Sequence, residues 1–298
     1  MGLLLFLGRN LVQGSALLTG GLTLGAMTAI TVLLASLYRL RNQLRASRME
    51  LARKEAELTF AREVQRLLFP RRFPECRGLE FAATCIPARG ISGDYYDVMQ
   101  FPNGNLSFAI ADISGKGISA AILMANLQAL LRTLAQTQRP PSQIASTLNH
   151  HLLEVTGESK FATLFYAEWH PVERRVRYVN AGHHPPILTG SAQGNRLTNG
   201  GFPIGMFPDT EFQEGEVLLQ PGDMLVLYSD GITEASTRRG EEFGEQRLEK
   251  LIAENADRSL REIEKRVLDA VGEWSGREPE DDMTLLIVRA TNGTKEAR

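Results

Sequence analysis

The sequence predicts an α+β sandwich that follows a transmembrane helix and a helical linker. Residues 11–38 contain no charged side chain, and residues 40–68 contain neither Gly nor Pro. After Pro74, strand-like segments come first, two helical segments lie in the middle, and further strands and helices follow. This order favours an α+β sandwich over βαβ units, in which strands and helices would alternate regularly.

The apolar segment 11–38 is long enough to cross a bilayer, which takes roughly 20 apolar residues in a helix. Basic residues cluster directly after it, at Arg39, Arg41, Arg45 and Arg48, whereas Arg9 precedes it. By the positive-inside rule, the C-terminal part faces the cytoplasm, and we expect a single-pass protein of the inner or plasma membrane. Because the segment ends in a basic helix, an uncleaved anchor is favoured over a signal peptide. A buried or interfacial helix is the alternative interpretation.

The linker over residues 39–70 repeats leucine every seven residues, which is the spacing of one seam position in a coiled coil. These leucines are Leu37, Leu44, Leu51 and Leu58. The second seam is weaker, because Ser47 and Lys54 occupy two of its positions. The pattern predicts one long helix, and homodimerisation through residues 37–68 is a hypothesis.

Pro70 and Pro74 end this helix and mark the start of the folded domain. The predicted organisation is therefore an N-terminal tail (1–10), a transmembrane helix (11–38), the linker (39–70), the domain (71–292) and a C-terminal tail (293–298).

Within the domain, apolar alternation and turn residues predict strands, and longer apolar periodicities predict helices. The first three strands span 79–86, 97–101 and 106–113, with a turn at 102–104, and two helices follow at 119–136 and 141–154. The remaining strands span 162–169, 174–181, 186–189, 214–219, 224–229 and 283–290. The two late helices span 244–255 and 259–272.

Composition excludes several classes of function. The net charge of −2 argues against a protein that binds nucleic acid through a broad basic surface. Cys76 and Cys85 lie nine residues apart without a CxxC motif, so the sequence supports neither a disulfide framework nor a zinc knuckle. Reduced thiols in a cytosolic domain are the simplest interpretation.

Several aspartates share one local design, at the end or the start of a predicted strand. Asp94 follows Gly93, Asp112 precedes a glycine-rich turn, and Asp230 precedes Gly231. Asp281 and Asp282 directly precede the last strand. A single Asp beside Gly is usually a turn residue, but strand-end carboxylates that converge form oxygen-rich sites for Mg²⁺ or Mn²⁺. Two such ions can activate water for displacement at phosphorus.

Order and spacing of these motifs strengthen that interpretation, because the sequence resembles the SpoIIE/RsbU-type branch of the PPM (PP2C-like) serine/threonine protein phosphatases. The resemblance begins near Ala61 and runs to the end of the domain. Its motifs are AREVQRLLFP (61–70), PAR (87–89), SGDYYD (92–97), ADISGKG (111–117), NAGHHPP (180–186), FPIG (202–205), YSDGITE (228–234), FG (243–244) and DDMT (281–284).

The resemblance implies a PP2C-like two-sheet antiparallel β-sandwich flanked by helices, with a dinuclear Mn²⁺ or Mg²⁺ site between the sheet edges. Asp112 would bridge both ions and is the expected catalytic residue, and the Ile113 carbonyl would also be a ligand. Asp94 would bind one ion, while Asp230 and Asp281 would bind the other. Additional candidates for the site are Asp97, Asp282 and His183.

The same resemblance implies direct attack by a metal-bound hydroxide on phosphoserine or phosphothreonine, without a phosphoenzyme. The expected substrate is a phosphorylated STAS-type anti-sigma-factor antagonist in a partner-switching pathway. The chain departs from the family pattern at Ser92, where Gly is usual, and at His184, where Asn is frequent. Arg89 is a candidate for binding phosphate, and Lys116 reads as a solvated loop lysine.

Two alternatives from other classes stay open at this stage. The domain could be a non-catalytic scaffold that binds a phosphoprotein at the membrane, although all four expected metal carboxylates are present. A two-metal nuclease or nucleotide phosphohydrolase would share the acidic site, but 7% aromatic residues and balanced charge do not favour it. His183 has two readings as well, a proton donor near the phosphate or a structural residue in the turn before Pro185.

Overall fold

The computed structural model describes residues 2–88, 90–101, 104–157, 159–192, 194, 196–276 and 278–292. Arg89, most of the predicted turn at 102–104 and the tail 293–298 lie outside the described residues. The chain divides into two compact units, Met1–Glu57 and Leu58–Arg298. The long helix α1 spans Gly2–Arg66, so its last residues belong to the second unit.

The first unit is the greater part of α1. Its large apolar side chains between Leu22 and Leu37 are more than half exposed. The threonines that interrupt the apolar run bond within the helix: Thr23 donates to the Gly20 carbonyl at 2.9 Å and Thr31 to the Met27 carbonyl at 2.8 Å. A hydroxyl satisfied by its own helix does not require water, so these residues are compatible with a lipid environment.

Two described helices are apolar and long enough to cross a bilayer by length and composition. The first lies within α1, over Thr19–Arg66, and contains an 18-residue window of mean hydropathy 1.7. The second is α2 (Ile118–Ala135), with a value of 1.4, whose buried residues pack inside the second unit.

The second unit contains two β-sheets, whose strands pair mostly antiparallel. The first sheet has the order β1-β10-β9-β6 and the second has the order β2-β3-β4-β5-β7, with β8 paired to β5. The strands of the first sheet are β1 (Leu79–Ile86), β6 (Ile187–Thr189), β9 (Met224–Tyr228) and β10 (Met283–Ala290). Those of the second are β2 (Asp94–Gln100), β3 (Leu106–Ile113), β4 (Ala162–His170), β5 (Arg175–Ala181), β7 (Gly200–Gly201) and β8 (Gly215–Leu218).

Three apolar clusters show how the layers pack. Between the sheets, side chains such as Phe108 and Phe165 of the second sheet pack with Leu227 of the first. The outer face of the second sheet packs against α2 and α3 (Pro141–Thr156). The outer face of the first sheet packs against α5 (Glu245–Glu254) and α6 (Leu260–Ser275). The result is a sandwich of two sheets with a helical layer on each side, which confirms the predicted fold class.

The predicted elements correspond closely to the observed ones. The strands predicted at 79–86, 106–113 and 283–290 have the observed bounds, and β2 begins three residues earlier than predicted. The sequence did not predict β7, the 3₁₀ turn Gly190–Ala192 or the short helix α4 (Asp230–Thr233). These elements contain two to four residues, too few to show a hydrophobic period.

Both cysteines are unbridged and partly covered. Burial raises the pKa of the Cys76 thiol to about 11 and is the largest cause that raises the pKa of Cys85 to about 12. Cys85 also donates a weak hydrogen bond to the Ser92 hydroxyl at 3.4 Å. The expectation of reduced thiols therefore matches their surroundings, which oppose formation of the reactive thiolate.

Candidate active site

The two central aspartates of the site face each other across neighbouring strands. Asp94 begins β2, Asp112 is next to last in β3, and the two are directly paired in the antiparallel register. Alternation along the strands places both on the face that packs against the other sheet, the side of Tyr96 and Ile110. They lie at the end of the sandwich where β10 begins and β9 ends.

The Asp94 carboxyl is almost completely covered, at 2% exposure. Its Oδ2 atom has no hydrogen-bond partner among the described residues. Burial raises the pKa of Asp94 well above its ordinary value, and the neighbouring charge of Asp112 raises it further. A buried carboxylate oxygen without a donor is costly unless a cation compensates it.

The other acidic residues of the cluster raise the pKa of Asp112. Burial raises the pKa of Asp112 to about 6, and the charges of Asp230, Asp281 and Asp282 add to the rise. Burial and the charge of Asp281 likewise raise the pKa of Asp230. The structure therefore brings together the aspartates that the sequence singled out at strand ends, from segments as far apart as 94 and 281.

Asp230 is positioned by a close backbone contact. It is the first residue of α4, and Ser229 alone separates it from the end of β9. A Cβ atom at Gly231 would collide with the backbone carbonyl of Asp282, so glycine is needed for this approach. Ser229 joins the same segments, because its hydroxyl donates to the Asp282 carbonyl at 3.1 Å and accepts from the Thr284 N–H at 2.9 Å.

Adjacent residues Asp281 and Asp282 have different surroundings. Both oxygens of the Asp282 carboxylate accept backbone N–H groups, from Ala88 and from Gly93, at 2.8 Å each. Asp282 thus holds the loop that leads into Asp94. The Asp281 carboxylate instead accepts from the Lys116 ammonium at 2.7 Å through Oδ2 and from the Asp282 N–H at 2.9 Å through Oδ1.

The loop before Asp94 is also held by the end of α1. The Gln65 side chain is buried and donates to the Ser92 carbonyl at 2.6 Å, while it accepts from the Ser92 N–H at 2.9 Å. Arg62 donates to the Gly90 carbonyl at 2.7 Å. The Ile113 carbonyl faces the same loop, since a Cβ at Gly93 would lie 3.0 Å from it.

Asp97 does not join the cluster, so its inclusion among the additional candidates is corrected. The side chains of odd-numbered residues in β2 face the helical layer, and Asp97 is fully buried on that side. Arg132 of α2 donates to both of its oxygens, at 2.6 and 2.9 Å, and the Tyr95 hydroxyl donates at 2.7 Å. The carboxylate is thus neutralised and hydrogen-bonded in place.

The surroundings of His183 favour the structural role over that of a proton donor. Burial lowers its pKa to about 3, so the ring is neutral. Its Nε2 lies 3.2 Å from the Tyr228 carbonyl, which can only accept, so Nε2 carries the proton and Nδ1 accepts from the Thr163 hydroxyl at 2.8 Å. Thr163 pairs with Asp112 across β3 and β4, so His183 connects the two sheets beside the cluster.

Sequence reasoning interpreted Lys116 as an ordinary solvated loop lysine and did not predict its contact with Asp281. Its ammonium lies on Asp281, 165 residues away in the chain, and its carbon chain reaches across from the loop after Asp112. The sequence did contain one signal, the glycines on either side of Lys116. In the structure, Gly115 and Gly117 adopt positive φ angles of 98° and 78°. A lysine presented by two such glycines directly after a candidate metal ligand is placed differently from an ordinary loop lysine.

The donor set suits hard divalent ions, since it consists of carboxylates with one unpartnered buried oxygen on Asp94. Within the described part of the chain, no three Asp, Glu, His or Cys side chains are already gathered around one point that could hold an ion. The hydrogen bonds above account for this: Lys116 holds Asp281, and backbone amides hold Asp282. Both carboxylates therefore already have hydrogen-bond partners in this structure.

Comparison with known proteins identifies the family. The family model described as Stage II sporulation protein E (SpoIIE) matches residues 102–291. The chain is 32% identical over 255 residues to the phosphoserine phosphatase RsbU of Bacillus subtilis (strain 168), covering 85% of this chain and 74% of RsbU. These matches confirm the family that the sequence motifs indicated.

Solved structures show the same fold. The PP2C domain of SiaA from Pseudomonas aeruginosa superposes with a TM-score of 0.71 at 20% identity, covering 80% of this chain and 98% of that one. RsbX, solved in complex with magnesium, gives a TM-score of 0.56 at 15% identity, covering 74% of this chain and 99% of that one. Together, the fold, the aspartate cluster and the relatives lead to one assignment: the chain belongs to the SpoIIE family and is a PP2C-type serine/threonine protein phosphatase.

Proposed function

We propose that the protein hydrolyses phosphoserine or phosphothreonine in a partner protein with the help of two Mn²⁺ or Mg²⁺ ions held by the aspartate cluster. The observation that carries this proposal is the buried Asp94 carboxylate, which is paired in register with Asp112 and whose Oδ2 atom has no hydrogen-bond partner among the described residues. Asp112 would contact both ions, Asp94 and the Ile113 carbonyl one of them, and Asp230 and Asp281 the other.

When bound, such ions supply an activated water and neutralise charge during in-line displacement at phosphorus. The residues of the chain supply the placement. Asp282 and Gln65 fix the loop that carries Asp94, and His183 fixes the strand partner of Asp112. Because the cluster lies at one end of the sandwich, a phosphorylated side chain of another protein can reach it without the sheets separating.

Hydrolysis of p-nitrophenyl phosphate tests the reaction. We expect activity in wild type with Mn²⁺, its loss with EDTA, and its loss in Asp112→Asn. A panel of phosphoserine, phosphothreonine and phosphotyrosine peptides then defines the substrate class. If the folded wild type binds a phosphoprotein but hydrolyses none of these compounds with any divalent ion, the protein acts as a non-catalytic scaffold and the proposed enzymatic function is wrong.

A phosphorylated STAS-type antagonist is the proposed substrate. This proposal rests on the family resemblance of the sequence motifs and on the 32% identity to RsbU, a phosphoserine phosphatase. The test compares phosphate release from a phosphorylated STAS domain with release from a peptide that carries the same phosphosite. Equal rates for both would contradict recognition of the folded domain.

The proposed membrane anchor rests on residues 11–38 and on the exposed apolar side chains of α1. At 1.5 Å per residue, 28 residues extend about 42 Å, more than the roughly 30 Å of a bilayer core. We expect the full chain to stay in the membrane fraction after alkaline carbonate extraction, with the phosphatase domain accessible to protease from the cytoplasmic side. Release by carbonate would contradict the anchor.

We also propose that residues 37–68 mediate a homodimer. The seam leucines Leu37, Leu44 and Leu51 are each more than half exposed, which leaves an apolar stripe for a second copy. Replacing Leu44 and Leu51 with Asp should dissociate the dimer in cross-linking and light-scattering experiments. Replacing the neighbouring exposed Arg45 and Arg48 with Gln is the matched control, and dissociation by both pairs would contradict a specific seam.

A further inference from the structure

The contact between Lys116 and Asp281 has a second feature beyond its 2.7 Å length. The Lys116 ammonium also donates to the Glu280 carbonyl at 3.3 Å, so it bonds the chain directly before the last strand at two points. Its positive charge also acts on Asp230. One lysine therefore contributes positive charge to two of the carboxylates to which the proposed function assigns the same ion.

The ion pair between Lys116 and Asp281 can be broken at a small cost in free energy. The side chains of Lys116 and Asp281 are 48% and 45% exposed, and ion pairs with such access to water are weak. Both residues line a cavity of about 270 Å³, which gives the lysine space to move. Gly115 and Gly117, at positive φ, flank the lysine and set the course of its loop.

An ion bound to Asp281 in the observed arrangement would share the carboxylate with the ammonium, and repulsion between the two cations at this short distance favours displacement of the lysine. Once displaced, Lys116 remains beside a site that now attracts phosphate. The substrate phosphoryl group is then the nearest anion that can replace Asp281 as its partner, and a lysine ammonium is a common phosphate ligand.

We propose that Lys116 is a placeholder cation, which occupies Asp281 in the ion-free protein and binds the substrate phosphoryl group after a divalent ion has taken Asp281. This inference rests on the proposed function and adds a specific role for one residue. It requires that Lys116 oppose metal binding and favour phosphate binding, two effects of opposite direction that a purely structural lysine would not produce.

The first measurement is Mn²⁺ binding by titration calorimetry to the full chain in detergent. In Lys116→Met, one of the two ions should bind about tenfold more tightly than in wild type, because it no longer competes with the ammonium. Lys160→Met is the matched control, since Lys160 contacts the same loop through the Ser114 carbonyl at 3.1 Å and no candidate ligand carboxylate. Its Mn²⁺ affinity should equal that of wild type.

The second measurement is inhibition by inorganic phosphate at saturating Mn²⁺, with p-nitrophenyl phosphate as substrate. Lys116→Met should raise the inhibition constant about tenfold, and Lys160→Met should leave it unchanged. Adding Asp281→Asn to Lys116→Met should abolish the gain in Mn²⁺ affinity, which shows that the gain acts through Asp281.

The outcomes separate this inference from the function on which it rests. Unchanged or weaker Mn²⁺ binding by Lys116→Met, or unchanged phosphate inhibition, overturns the placeholder role while leaving the phosphatase intact. Absence of Mn²⁺ binding in wild type and Lys116→Met alike overturns both the placeholder role and the proposed metal site.

Discussion

Two buried aspartates three residues apart on β2 have opposite surroundings. Asp97, on the helix-facing side, is fully buried and bonded to Arg132, Tyr95 and its neighbouring backbone N–H at Val98. Asp94, on the side between the sheets, is almost as deeply buried but keeps one oxygen unpartnered and faces a second carboxylate. The chain therefore contains both a satisfied and an unsatisfied buried carboxylate within one strand.

This difference in surroundings distinguishes a carboxylate that stabilises the fold from one that is available to bind a ligand. A buried charge that is paired and hydrogen-bonded maintains the structure, whereas one left without a partner costs stability and persists where function requires it. By this criterion Asp97 belongs to the scaffold and Asp94 to the site. The two residues can be exchanged for asparagine in parallel, which makes the comparison directly testable.

The largest expected effect is on catalysis in Asp94→Asn. Loss of a metal ligand removes several kcal/mol of transition-state stabilisation, which corresponds to a rate loss of roughly 10³-fold. The melting temperature of the ion-free protein should stay the same or rise, because the substitution removes a buried carboxyl whose charged form is opposed by burial and by the charge of Asp112. Asp97→Asn should show the reverse pattern: a lower melting temperature and much smaller loss of rate. Similar behaviour of the two variants would break the comparison.

The next effect is on stability in Arg132→Met, which leaves Asp97 as an uncompensated buried charge. We expect a loss of about 3 kcal/mol in the free energy of unfolding, or roughly 6–12 °C in melting temperature. Fluorescence of Trp169 and Trp274, the two tryptophans of the chain, reports the second unit alone. Combining Arg132→Met with Asp97→Asn should recover part of the loss, and no recovery would argue against a direct pairing.

The pH dependence of stability sharpens the same contrast. Burial and neighbouring charges raise the pKa of Asp112 from 3.8 to about 6, so between these values the folded state holds more protons than the unfolded state. The free energy of unfolding of the EDTA-treated protein should therefore fall as the pH rises. The contribution is fully present below pH 3.8, is lost by about pH 6, and amounts to at most about 3 kcal/mol. Asp112→Asn should flatten the curve between pH 4 and 7, and an unchanged slope would contradict the shift.

The smallest expected effect concerns the support of Asp94 from α1. Gln65→Leu removes both hydrogen bonds to the Ser92 backbone and should cost about 2 kcal/mol of stability. Misplacement of the loop should also lower the rate with saturating Mn²⁺ about tenfold, the scale found for residues that orient metal ligands. Glu63→Ala, at an exposed position two residues earlier in α1, is the control. A loss of stability without a loss of rate would mean that Gln65 supports the fold but not Asp94.

Sequence patterns predicted the fold because its signals are local. Residues 283–290 are mostly apolar and follow two aspartates, and β10 has those bounds. The start of β2 was placed three residues late, because the polar and aromatic residues 92–97 show no clean alternation. Pairing with β3 along the full length from Asp94 to Asp112 defines that start, and such pairing is a contact between distant segments.

The candidate site was predictable in its members but not in their individual roles. Strand ends and glycines pointed to Asp94, Asp112, Asp230 and Asp281. The different roles of Asp281 and Asp282 depend on which backbone amides donate to the Asp282 carboxylate. Those amides lie 189 and 194 residues away in the chain, so their contact is not visible in the local sequence. The exclusion of Asp97 follows from strand alternation together with Arg132 on a helix that the motif does not include.

The covered thiols described above make the protein a convenient background for cross-linking chemistry. Because Cys76 and Cys85 stay protonated at neutral pH, maleimides and mild oxidants react with them slowly. A single cysteine introduced at position 44 or 51 would then report whether a second copy lies beside it, which tests the proposed dimer. The proximity of two copies could be mapped along the linker without removing either natural sulfhydryl.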